Sequence, residues 1–188
     1  MSNKYKFDDL EGTYFTSTSV VDWVDVFTRR DYKDILIDSL KFCVKKKGLI
    51  VHAYVIMSNH FHLIISRSEN ALSFSDILRD LKKYTAMHLI KAIRENPVES
   101  RKKWMLEIFE KAGRLNGNNT MYQFWQQDNH PIHLEGDWIE QKLDYIHYNP
   151  VEAGWVDEPE AYLYSSARNY AGLESPMKIV SVYDGSIC

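Results

Sequence analysis

The chain has 188 residues, of which 45% are apolar, 26% charged and 13% aromatic, with 8 glycines and 5 prolines. That balance excludes collagen-like, low-complexity and disordered classes, and the length is ample for a real core. The formal net charge of −3 argues by itself against a nucleic-acid binder, and two cysteines, Cys43 and Cys188, cannot build a disulfide framework. No apolar run approaches the roughly 20 residues of a membrane-spanning helix. The segment from Met1 to Lys6 has no signal-peptide apolar stretch, so the expected location is the cytoplasm.

Residues 12–21 are dense in β-branched and aromatic side chains and read as a strand. Residues 31–47 read as a helix: Tyr32, Ile35, Leu36, Leu40 and Cys43 recur at three-to-four spacing, Asp31 can cap the start, and Gly48 follows a lysine-rich end. Residues 49–57 are an apolar run of strand length. After a short turn at Ser58-Asn59, residues 60–66 make a second strand and complete an antiparallel hairpin. The strongest helix is 73–94, with Phe74, Ile77, Leu78, Leu81 and Tyr84 as its core stripe, Ser73 and Asp76 as a capping pair, and Pro97 beyond its end. Residues 104–112 read as a helix, 115–119 as a loop and 122–126 as an alternating fourth strand. Residues 137–148 read as a helix stopped by Asn149-Pro150, and the tail from Pro159 holds one short helix at most. The order strand, helix, strand, strand, helix, strand predicts a ferredoxin-like α+β sandwich, βαββαβ, with an additional C-terminal helix.

Charge is unevenly spread. Between Arg79 and Lys103 eight basic residues oppose Asp80, Glu95 and Glu99, whereas between Glu135 and Glu160 eight acidic residues oppose Lys142 alone. This pattern suits a local phosphate-binding surface on a mildly acidic protein and equally suits two solvated helix faces of opposite sign.

Two short segments carry candidate chemistry. In His60-Phe61-His62 strand alternation sends both imidazoles to one face, a geometry that suits a divalent metal, or simply two half-exposed histidines on a sheet. In Asp144-Tyr145-Ile146-His147-Tyr148-Asn149-Pro150 helical spacing puts Tyr145 and Asn149 on a shared face, with Ile139, Leu143 and Ile146 as the buried stripe. The same pair also reads as a surface aromatic beside a C-terminal Asn cap. Taken together, two imidazoles, an amide oxygen and a phenol define a reaction class. A phenol with pKa about 10 attacks a phosphodiester only when a cation polarises the phosphoryl oxygens.

The run Ala53-Tyr54-Val55-Ile56-Met57-Ser58-Asn59-His60-Phe61-His62-Leu63-Ile64 resembles the His-hydrophobe-His signature of the HUH single-tyrosine transposases. Tyr145-Ile146-His147-Tyr148-Asn149-Pro150-Val151-Glu152-Ala153-Gly154, followed by Tyr164-Ser165-Ser166, resembles the more specific motif of the REP-associated tyrosine transposases. The resemblance covers about residues 10–170 and leaves 171–188 an unassigned tail of a single HUH transposase domain spanning 1–188. It implies a ferredoxin-like fold whose additional C-terminal helix carries the nucleophile, Tyr145. It also implies Mg²⁺ or Mn²⁺ bound by His60 and His62, with Asn149 completing the shell. The implied partner is single-stranded DNA folded into a palindromic hairpin, cut beside the hairpin to leave a 5′-phosphotyrosine and a free 3′-hydroxyl. Lys82, Lys83, Arg101, Lys102, Lys103, Trp125 and Tyr148 are the candidate DNA contacts, and a homodimer is compatible with the reading. Glu152 stands where the family often carries a basic residue. Two other readings remain open from sequence: a hairpin-binding module whose catalysis is unused, and a replication or conjugation nickase on the same scaffold.

Overall fold

A computed structural model describes residues 7–117, 121–127 and 129–188. Its elements, in chain order, are β1 (Thr13–Ser19), α1 (Arg30–Lys47), β2 (Leu49–Ile56), β3 (His60–Arg67), α2 (Phe74–Glu95), α3 (Lys102–Leu115), β4 (Ile132–Leu134), α4 (Asp137–Glu152) and α5 (Ala167–Tyr170), with 3₁₀ turns at Val21–Trp23 and Pro159–Ala161. The N-terminal segment 1–6 and residues 118–119 of the expected loop lie outside the described residues.

The expected punctuation is largely realised. Gly48 closes α1 at φ 73°, and a Cβ there would meet that of Ala71 at 2.6 Å, so both conformation and space require glycine. Ser73 Oγ accepts the Asp76 N–H and starts α2. The strands form one antiparallel sheet in the order β2-β3-β1-β4, the ferredoxin-like arrangement.

Three expectations change. The fourth strand is Ile132–Leu134, paired with Thr13–Phe15, and not residues 122–126. Phe124 and Trp125 are adjacent yet both buried in the same core, which strand alternation forbids; only Trp125 bridges to Val20. The helix expected to stop at Asn149 runs on to Glu152, with Pro150 inside its last turn, where a missing N–H leaves a single carbonyl without its helical donor. Tyr84, expected in the core stripe of α2, is 51% exposed and stacks on His88. The tail after Gly172 is structural: Met177 and Ile179 are buried, and Val180 N donates to Val51 O on the outer edge of β2.

The sheet has two covered faces. One, with Tyr54, Phe61, Leu63 and Ile65, packs on α1 and α2 in the main core. The other, with Phe15, Ala53, Val55 and Ile64, packs on Leu143 and Ile146 of α4. The edge of β2 is closed by the 164–166 segment, where Ser166 N donates to Tyr54 O and the Ser166 hydroxyl accepts the Tyr54 N–H. The two serines of the later sequence motif are thus edge-closing groups. Among the described residues no helix is long and apolar enough to cross a membrane.

Candidate active site

β3 begins at His60, directly after the hairpin turn, and lies between β1 and β2; His62 is opposite Ser17 on one side and Val55 on the other. Alternation buries Phe61 and Leu63 in the main core and turns His60 and His62 toward α4, their ring centroids 4.8 Å apart. Leu143 and Ile146 fasten α4 to that face. Tyr145 between them lies at the rim, 41% exposed, with its hydroxyl 3.5 Å from His62 Nε2 and its ring 5.2 Å from the imidazole. Phe15 stacks on His62 and meets Tyr145 edge-on, so an apolar ring fills the floor between them.

Both imidazoles are uncharged at neutral pH. Burial pushes His62 down to about 3, with the nearby His60 and the Lys142 ammonium adding to the effect. Burial also lowers His60, against the opposing pull of Asp25. Neutral imidazoles present lone pairs, the state in which histidine binds a metal or accepts a proton. His62 Nδ1 is buried without a hydrogen-bond partner among the described residues, and an orphan of that kind costs ~1–3 kcal/mol. A cation coordinated on this face of the sheet suits such a pair of rings. Among the described residues no cluster of three or more His, Cys, Asp or Glu side chains accompanies them, so the remaining ligands would be amide or substrate oxygens.

Asn149 is four residues from Tyr145 on the same helix, as the spacing requires. Its Nδ2 donates to the Tyr145 carbonyl at 2.9 Å, which orients the amide, and it makes no hydrogen bond to either imidazole among the described residues. The structure therefore brings His60, His62 and Tyr145 together and holds Asn149 one turn away. Tyr148 is exposed on the same helix. His147, in contrast, is buried against Ser166, its pKa lowered to about 4 by burial.

The candidate DNA contacts separate. Lys83 is exposed on α2, and with Arg79, Lys91 and Arg94 it lines an open groove of about 1200 Å³ between α2 and residues 121–127. Lys82 borders the same groove but anchors it, donating to the carbonyls of Gln126 and Gln127 and to Asn129 Oδ1. Lys102 and Lys103 start α3 and do not line this groove. Trp125 is 5% exposed, with its indole N–H on Thr85 Oγ1, so it belongs to the core and not to a base-stacking surface. Arg101 is committed to the carboxylate of Glu99, the carbonyl of Asp25 and the hydroxyl of Thr28.

Sequence reasoning passed over Lys142. It stands three residues before Tyr145, with its Nζ 5.1 Å from that ring's centroid and 4.9 Å from that of Phe15, and it forms no ion pair among the described residues. Its isolation in an acidic stretch, at i−3 from the candidate nucleophile, was the available signal.

Residues 23–112 match the family model described as Transposase, IS200-like. The structure of a REP-associated tyrosine transposase bound to a REP hairpin matches with a TM-score of 0.63 at 19% identity, covering 99% of this chain and 97% of that one, and shows a shared fold. A candidate transposase from Deinococcus radiodurans aligns with a TM-score of 0.44 at 16% identity over 77% of this chain and 95% of that one. No curated protein matches. Residues 23–112 are thus similar to the IS200-like transposases, and the chain as a whole has the fold of a REP-associated tyrosine transposase.

Proposed function

We propose that this protein is a single-stranded DNA endonuclease and strand transferase that cuts beside a DNA hairpin through a covalent bond to Tyr145. The observation that carries the reading is the approach of the Tyr145 hydroxyl to 3.5 Å from His62 Nε2, beside His60, on a face walled by Phe15. The relative with this fold is described as bound to a REP hairpin, and a hairpin is the partner proposed here.

His60 and His62 would hold Mg²⁺ or Mn²⁺, with the Asn149 amide oxygen swinging in to complete the shell. The bound cation supplies charge stabilisation at the phosphoryl oxygens. Tyr145 is held at the rim by its buried neighbours and presents Oη to the phosphorus. As the Oη–P bond forms, the phenolic proton passes to solvent and the P–O3′ bond breaks. The leaving oxygen takes up a proton and becomes a 3′-hydroxyl, while the 5′-phosphate remains on Tyr145. Attack of a DNA 3′-hydroxyl on this ester restores a phosphodiester and frees the phenol, so joining needs no ATP. Lys142, over the Tyr145 ring, places a positive charge where negative charge develops.

The groove along α2 supplies a path for the nucleic acid. Its Gln126 donates a backbone N–H to Ser19 O, and Ser19 is the strand partner of His60, so one wall of the groove is tied to the strand pair that carries the site. A labelled hairpin with unpaired flanks, incubated with the protein and Mn²⁺, should be cut at one position in a flank. His60→Ala should bind the hairpin and fail to cut it. Cutting by His60→Ala at the wild-type rate, or equal cutting of a blunt duplex, overturns the reading.

A further inference from the structure

The turn that precedes His60 is built in more detail than a hairpin needs. Asn59 Nδ2 lies 3.2 Å from the Trp23 carbonyl oxygen and 3.2 Å from Asp25 Oδ1, two atoms that only accept hydrogen bonds. That fixes which end of the amide is nitrogen. The other end, Oδ1, lies 2.7 Å from His60 Nδ1. An amide oxygen only accepts, so Nδ1 must carry the hydrogen, and in the uncharged ring Nε2 is left with its lone pair.

We propose that Asn59 and Asp25 are positioning residues that lock His60 in the Nδ1–H tautomer and offer its Nε2 to the cation. The assignment rests on the metal-binding reading given above for what Nε2 does, but the tautomer itself follows from the turn alone. Metal-binding histidines ordinarily donate their second ring N–H to a carboxylate or carbonyl, which sets tautomer and ring orientation. Here an amide is interposed, so the chain runs His60 Nδ1–H to Asn59 Oδ1, then Asn59 Nδ2–H to Asp25 Oδ1.

The far end of this chain is itself anchored. Ser58 Oγ donates to Asp25 Oδ1, and the Asp25 carbonyl accepts from Arg101 Nη1 at 2.7 Å. Arg101 is held by Glu99, whose side chain is fully buried and also paired with Arg29. The turn and the 20–27 segment are stitched by Val20 N to Asn59 O and Phe27 N to Ser58 O. The Trp23 carbonyl reaches Asn59 from a backbone at positive φ, 50° at Asp22 and 54° at Trp23, neither of them glycine. Such positions are strained and persist where the surroundings over-determine them. His62 has no comparable support among the described residues: its Nδ1 finds no partner there and its Nε2 faces Tyr145. The two histidines of the motif therefore differ, one held by a built outer shell and the other left open to the reacting phenol.

The test reads the tautomer directly. Long-range ¹H–¹⁵N NMR of the metal-free full chain, with His60 assigned by its disappearance in His60→Gln, should show Nδ1 protonated and Nε2 bare. In Asn59→Ala the signal should shift to the other tautomer or to a mixture, and Mn²⁺ affinity, measured by paramagnetic relaxation without DNA, should fall about 10–100-fold. Asp25→Ala should act in the same direction more weakly, because Trp23 O still holds the amide. Far-UV circular dichroism should be unchanged in both variants. An Nε2–H tautomer in the wild-type chain overturns the assignment, as does an Asn59→Ala variant that keeps both the Nδ1–H tautomer and wild-type Mn²⁺ affinity. If the variant unfolds, Asn59→Leu, of similar size and without an acceptor, takes its place under the same criteria. A wild-type chain with the expected tautomer and no Mn²⁺ binding refutes the offer of Nε2 to a cation and the metal reading with it, while leaving the tautomer lock intact.

Discussion

Replacing Glu99 with Gln probes the anchor beneath the His60 turn. The buried carboxylate receives Arg29 Nε at 2.7 Å, Arg101 Nε at 3.1 Å and the Arg101 backbone N–H at 3.1 Å. Burial on its own would raise its pKa; the hydrogen bonds from Arg101 and Arg29 outweigh that and hold it at about 2. Set against an ordinary value of 4.5, this corresponds to at most ~3 kcal/mol of stability at neutral pH. Both arginine side chains are about one-third exposed, so water screens part of the interaction and ~2 kcal/mol is the working figure. Because the folded value is depressed, this stability is present above pH 4.5 and is lost as pH falls toward 2. Glu99→Gln should therefore lower the unfolding free energy by ~2 kcal/mol at neutral pH, or the Tm by ~4–8 °C for a chain of this size. Urea titrations of both proteins at neutral and at acid pH measure the gap, which should narrow as pH falls below 4.5. A gap under ~0.5 kcal/mol at neutral pH, or one independent of pH, refutes the reasoning.

Lys142→Gln should slow single-turnover cleavage about 10-fold with little change in hairpin affinity, and Lys142→Arg should recover most of the rate; a Gln variant at the wild-type rate removes Lys142 from the chemistry. Hairpin affinity should fall with rising salt, and the paired change Lys83→Ala with Lys91→Ala should flatten that dependence by about 2 in logarithmic slope, as measured by fluorescence anisotropy. An unchanged slope would show that the α2 groove does not carry the phosphates.

The fold was legible wherever periodicity and punctuation agreed. The β2–β3 hairpin, α1 with its Gly48 stop and α2 with its Ser73 cap all follow from local residues. The fourth strand was not, because Tyr122 to Gln126 alternates in sequence while the core takes both Phe124 and Trp125. The Pro150 stop failed because proline is tolerated where a helix has only one more turn to make. Within the site, strand period two placed His60 beside His62, and helical spacing placed Tyr145 and Asn149 on one helix. Where those two elements meet was beyond local pattern, since it depends on which sheet face α4 covers. The same limit explains Arg101: a basic run looks like a phosphate surface until Glu99, two residues away, is found buried beneath it. Asn59 and Asp25 are 34 residues apart, and only the folded turn reveals that they form one device.

The central claim is that Tyr145 is the group that joins to DNA. Its hydroxyl approaches His62, whereas Tyr148 is turned about 300° around α4 by its three-residue offset and, among the described residues, makes no hydrogen bond or ring contact with either histidine. The direct measurement is mass-spectrometric mapping of the covalent adduct formed when the protein meets a labelled hairpin in Mn²⁺. The expected result is a phosphodeoxynucleotide on the peptide carrying Tyr145, no adduct in Tyr145→Phe, and an adduct at near-wild-type yield in Tyr148→Phe. Modification at Tyr148, or cleavage that survives in Tyr145→Phe, contradicts it.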